Sequence, residues 1–120
     1  AAVPHKDEAI QMDGFTLVHA GINPVAGLQA TGREEFLSIR TWPPTGTLQG
    51  PRWHRAMEPG STAIVFGHDA PGGLIVECRP GCSWPWLVGL DSGCIYGGQL
   101  SAWVLEETRL VQVASRQPAK

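Results

Sequence analysis

Apolar residues in this chain gather in short runs rich in β-branched and aromatic side chains, each closed by turn-forming residues. "FTLVHAG" (residues 15–21) is the first, and "TAIVFGH" (62–68), "GLIVEC" (73–78) and "WLVGL" (86–90) follow. "QLSAWVLEET" and "RLVQVAS" meet at a Glu-Glu-Thr corner and predict a hairpin. One segment differs. In "TGREEFLSIR" (31–40), Thr31 stands three positions before Glu34, the spacing of a capping box, which predicts a helix burying Phe36, Leu37 and Ile39. Residues 1–14 show no period and end at Asp13-Gly14, a turn signal. The stretch 41–61 is broken by four prolines and predicts an irregular surface excursion, with at most a helical turn from Trp53 to Met57. The order of elements is that of an α+β fold, mostly strands with one short helix. Its expected organisation is an extension over 1–14, one domain over 15–115 and a tail over 116–120.

Composition narrows the function classes. A chain of 120 residues has room for one domain, and 15 glycines with 10 prolines favour many turns. The formal net charge of −2 and the absence of a basic run give no electrostatic footing for nucleic acid. No apolar stretch is long enough to span a membrane. Ala1 in place of an initiator methionine fits a processed or cut chain, and read as processed it suggests an organelle such as the mitochondrion.

Three cysteines, Cys78, Cys82 and Cys94, make no disulfide framework. Cys78 and Cys82 have C-x3-C spacing with His68 upstream, but the second ligand pair of a structural zinc site is missing, so small structural thiols are expected. The glycines of "GLDSGCIYGG" (89–98) lack both the spacing and the Lys-Ser/Thr ending of a P-loop, and predict a tight crossover with Asp91 bonded to local backbone. Ser92 has no nucleophile-elbow pattern around it.

Two histidines stand apart. "LVHAG" and "VFGHDA" are both apolar strands that stop at a histidine, His19 or His68, followed by small residues. Two strands of one sheet ending this way would aim two imidazoles at one point, where they can ligate a transition metal, with Asp69 placed to orient a ligand from behind. His54 and His5 lack this setting and are expected at the surface.

In order along the chain, "TLVHAGINP", "IVFGHDAPGGL" and "GLDSGCIYGGQLSAWVLEE" resemble the C-terminal half of the calcineurin-like metallophosphoesterases, in the branch of diadenosine tetraphosphatases and serine/threonine phosphatases. The resemblance implies half of a four-layer α/β/β/α sandwich with a two-metal centre at the strand ends. It implies that His19 and His68 ligate the second metal, a divalent Mn, Fe or Zn ion, that Arg40 faces phosphate, and that Asp91 and Cys94 are structural. The family's D-x-H, G-D-x-x-D-R-G and G-N-H-[DE] blocks, which carry the other ligands, do not occur here. Two histidines alone cannot support two-metal chemistry. The expected function is therefore that of a metallophosphoesterase-like half-domain, non-catalytic by itself and serving as an accessory subunit. The alternative is part of a split or fragmentary dimetal phosphatase acting on phosphate esters, a phosphoprotein or a dinucleoside polyphosphate. The expected partner is another polypeptide that covers the exposed sheet, such as one carrying the N-terminal half. Five tryptophans, Trp42, Trp53, Trp84, Trp86 and Trp103, suggest a broad contact surface.

Overall fold

The computed structural model describes residues 9–12, 14–60 and 62–116; His5 and residues 117–120 of the expected tail lie outside them. Seven strands are β1 (Ala9–Met12), β2 (Phe15–Val18), β3 (Ala63–Phe66), β4 (Ile75–Cys78), β5 (Pro85–Gly89), β6 (Gln99–Val104) and β7 (Arg109–Ala114). Five form one sheet in the order β1-β2-β3-β5-β4, parallel across β2-β3-β5 and antiparallel at both edges. The other two make the expected hairpin, β6 against β7. With α1 (Arg33–Ser38), the one α-helix among the described residues, the fold is α+β and mostly strand. Among the described residues no helix is long and apolar enough to cross a membrane.

Alternation along the strands explains the core. Val18 of β2 and Ile64 and Phe66 of β3 point to one face, where Phe36 and Ile39 from the helix segment and Trp53 close over them. The helix begins one residue later than the Thr31 cap predicts. Gly32 is its N-cap, and the Gly32 backbone N-H donates to Glu35 Oε1 at 3.0 Å. Thr31 is diverted: its hydroxyl donates to Gly27 O at 2.7 Å and accepts from Asn23 N at 3.0 Å, fixing the loop ahead of the helix. Leu37 is only half-buried, so Phe36 and Ile39 carry the buried face.

Two expectations fail on burial. Trp53 and Trp86 are 0% and 5% exposed, so these two tryptophans belong to the core and not to a contact surface. His54 is 2% exposed, not a surface residue. The single helical turn Trp53–Ala56 folds inward, and Trp53 N donates to Arg40 O at 3.1 Å, which carries Trp53 and His54 together against Phe66. An apolar-aromatic pocket that large outweighs the proline-rich context that suggested solvent.

Burying His54 has a pH signature. Desolvation, followed by the charges of Arg55 and Arg52, lowers its pKa from 6.5 to about 4, and neither ring nitrogen has a hydrogen-bond partner. Between those two values the unfolded chain binds the extra proton, so the stabilisation is complete above the unfolded pKa and is lost as pH falls toward the folded one. The loss is at most about 3 kcal/mol. His54→Phe is expected to flatten this slope and to be no less stable at pH 7, because no hydrogen bond is broken. Thermal unfolding of parent and variant at pH 7 and at acid pH checks it; equal slopes would refute the role of His54.

Candidate functional site

The parallel pairing of β2 and β3 sets Leu17 beside Val65, so both strands release the chain at the same end of the sheet. Gly67 N donates to His19 O at 2.8 Å just beyond the strands. His19 and His68 therefore come together, with ring centroids 5.0 Å apart and planes inclined at 48°. The turn after β2 is braced from behind. Ala20 N donates to Phe36 O at 2.8 Å, and Gly21 lies so close to the Trp53 ring that an added Cβ would stand 2.5 Å from it.

His19 is exposed and His68 half-buried. His68 holds a left-handed backbone, φ 70°, which a non-glycine residue occupies at a cost of about 1 kcal/mol or more and which concentrates at functional positions. Its Nε2 is buried and has no protein partner. Burial, reinforced by the Arg40 guanidinium and the His19 ring, pushes its pKa below the usual histidine range despite the Asp69 and Asp91 carboxylates. The ring is thus neutral near pH 7, the form that ligates a metal. Arg40 Nη2 donates to His68 O at 3.3 Å. With His19, His68 and Asp91 it lines a cleft of about 860 Å³.

Asp69 is placed differently from the orienting role that its neighbour suggested. Its carboxylate is 3% exposed and turned inward, where Oδ1 accepts from Arg52 Nη2 at 3.0 Å and from Gly72 N at 3.2 Å, with Arg40 Nε at 4.0 Å. Among the described residues no hydrogen bond joins it to either imidazole. It shapes the turn after His68 rather than holding the ring. Asp91 Oδ1 accepts from Gly93 N at 3.1 Å, the local bond expected of it.

The two imidazoles and the unpartnered Nε2 suit part of a metal site. A transition metal takes four or more donors, and among the described residues no group of three or more His, Cys, Asp or Glu is placed to hold one. The described residues thus bring two imidazoles to this point and no full ligand set. Cys78, Cys82 and Cys94 are free thiols and do not join His68 in a cluster; Cys78 is exposed, where small structural thiols were expected.

Residues that the sequence did not flag complete the surroundings. Arg52 reaches 17 residues ahead to Asp69, and no spacing rule signals such a pair. Ile95 and Tyr96 line the cleft, though their stretch reads as a simple crossover.

No protein-family model matches the chain. A symmetrical bis(5'-nucleosyl)-tetraphosphatase of Janthinobacterium sp. (strain Marseille) is 36% identical over 117 residues, covering 95% of this chain and 40% of that protein. A protein of the same description from Bordetella pertussis is 39% identical over 54 residues, 45% of this chain and 17% of that one. A crystal structure of a protein provisionally assigned as a diadenosine tetraphosphatase superposes with a TM-score of 0.68 at 29% identity, covering 85% of this chain and 47% of that one. The chain thus spans less than half the length of these relatives, and the part it matches is C-terminal.

Proposed function

We propose that this chain, which carries the C-terminal half of a calcineurin-like metallophosphoesterase fold, supplies one side of a two-metal phosphoesterase site. His19 and His68 hold the second metal, a divalent Mn, Fe or Zn ion, and Arg40 faces the phosphate. The observation that carries this reading is the pair of imidazoles 5.0 Å apart at two parallel strand ends, with His68 Nε2 buried and unpartnered. Bound metals at such a centre polarise phosphoryl oxygen and activate water. The chain's own contribution is to hold two imidazole rings in place and to set the Arg40 charge beside them. An accessory, non-catalytic subunit has no use for a strained histidine with a free buried nitrogen, so the catalytic half-site is the better reading. The substrate class is a dinucleoside polyphosphate, as the names of the relatives suggest.

The remaining ligands come from the N-terminal half of the same fold, and the sheet supports that partner. Ile10, Leu17, Val65, Val88 and Val76 stand in register across all five strands. Val65 and Val88 at the centre of this row are already buried, at 7% and 1% exposed, while Ile10, Leu17 and Val76 beside them are 50%, 40% and 42% exposed, apolar positions that a further layer would cover.

Joining this chain to an N-terminal half that carries the missing blocks, in the presence of Mn2+, is expected to give hydrolysis of diadenosine tetraphosphate. His19→Ala and His68→Ala should each reduce the rate at least about a hundredfold, since even partners one layer behind a metal reach that cost. Unchanged activity in both variants would return the chain to the accessory role.

A further inference from the structure

The cleft beside the histidines has an apolar lining that neither metal nor phosphate explains. One short stretch, Cys94–Tyr96, forms a single helical turn bounded by Gly93 (φ 76°) and Gly97 (φ 91°), both left-handed. Its backbone is tied down. Tyr96 N and Gly98 N both donate to Gly93 O at 2.9 Å, and the Ser115 hydroxyl donates to Cys94 O at 2.6 Å. Ile95 and Tyr96, 64% and 52% exposed, thus stand side by side as apolar surface on an ordered backbone, the kind of patch that marks a binding site. Both line the cleft with His19, His68 and Arg40. A separate segment adds Leu48, 48% exposed and fixed by Arg52 donating to its carbonyl oxygen at 3.0 Å, and Pro71 also lines the cleft.

A basic group and two imidazoles in one cleft with an aromatic-aliphatic surface match a phosphate ester bearing a flat apolar ring. We infer that the Ile95–Tyr96 turn is the nucleobase platform of the site: the base stacks on Tyr96 and packs against Ile95, while its phosphates reach toward Arg40 and the histidines. This rests on the phosphoesterase reading and adds to it the group that selects a nucleotide over a bare polyphosphate. An aromatic face suits any of the bases, so the platform favours nucleosides without choosing among them.

The test compares kcat/KM for diadenosine tetraphosphate and for inorganic tripolyphosphate, which has no base, in the protein complemented with its N-terminal half. Tyr96→Ala is expected to lower the ratio of the two about tenfold or more, the usual worth of one stacked base, through KM for the dinucleotide. Tyr96→Trp should restore it, and Ile95→Ala should shift it the same way by less. An unaltered ratio in Tyr96→Ala, with both substrates still turned over, would overturn the platform and leave the phosphoesterase reading standing. Turnover of neither substrate by the complemented parent protein would overturn both.

Discussion

Trp53→Ala is expected to destabilise the protein by about 3–5 kcal/mol, the cost of emptying a fully buried aromatic position. Trp53 is 0% exposed, meets Phe66 edge-on with centroids 5.2 Å apart and lies against His54 at 5.3 Å. Gly21, which faces the ring, carries no side chain to fill the space. Domains of this size hold about 5–15 kcal/mol in total, so the variant should unfold at much lower urea. The effect reaches the site as well. The Trp53 ring backs the turn that follows His19, so the cleft loses its support on that side, while the backbone bond from Trp53 N to Arg40 O does not depend on the side chain. Gly21→Ala attacks the same contact from the other side and should cost about 1–3 kcal/mol. Combined, the two substitutions should cost less than the sum, because the alanine methyl enters the space that the ring has left. A loss below about 1 kcal/mol for Trp53→Ala in urea unfolding would mean that Trp53 is not the centre of the core.

Arg52→Ala should be nearly as damaging, at about 3–5 kcal/mol, for a different reason. Asp69 is 3% exposed and Arg52 is its 3.0 Å partner; removing the guanidinium leaves a buried carboxylate facing only a backbone N-H and a more distant Arg40. The penalty is that of an uncompensated charge more than of a lost attraction. Asp69→Asn in the Arg52→Ala background should therefore recover a large part of the loss, since the amide oxygen still accepts from Gly72 N. The double-mutant cycle from chemical denaturation gives the coupling directly. Additive effects would show that the pair does not act as a unit.

How much of this was legible follows from what each feature depends on. The strands β2 to β7 and the hairpin could be read because their apolar runs are local and bounded by turn residues. The His19–His68 pair could be read because the same pattern, apolar strand then histidine then small residues, occurs twice. The pairing of β2 with β3 then does the rest. Strand β1 was missed: Ile10 and Met12 are exposed and alternate with Gln11, so their run is too short and too polar to stand out before pairing with β2. The order β3-β5-β4, in which β5 inserts between its predecessors, is set by long-range packing that local patterns do not carry. A proline-rich segment usually stays at the surface and so points His54 and Trp53 outward, whereas here a single turn delivers two rings to the core. The inward turn of Asp69 depended on Arg52, a partner that no motif spacing ties to it.

The most direct test is where metal binds in the protein completed by its N-terminal half. Anomalous diffraction at the manganese edge from Mn2+-soaked crystals is expected to show an ion about 2.0–2.2 Å from an imidazole nitrogen of both His19 and His68, Nε2 in the case of His68. Ions found only on residues of the other half, with His68 Nε2 hydrogen-bonded to protein, would contradict the account.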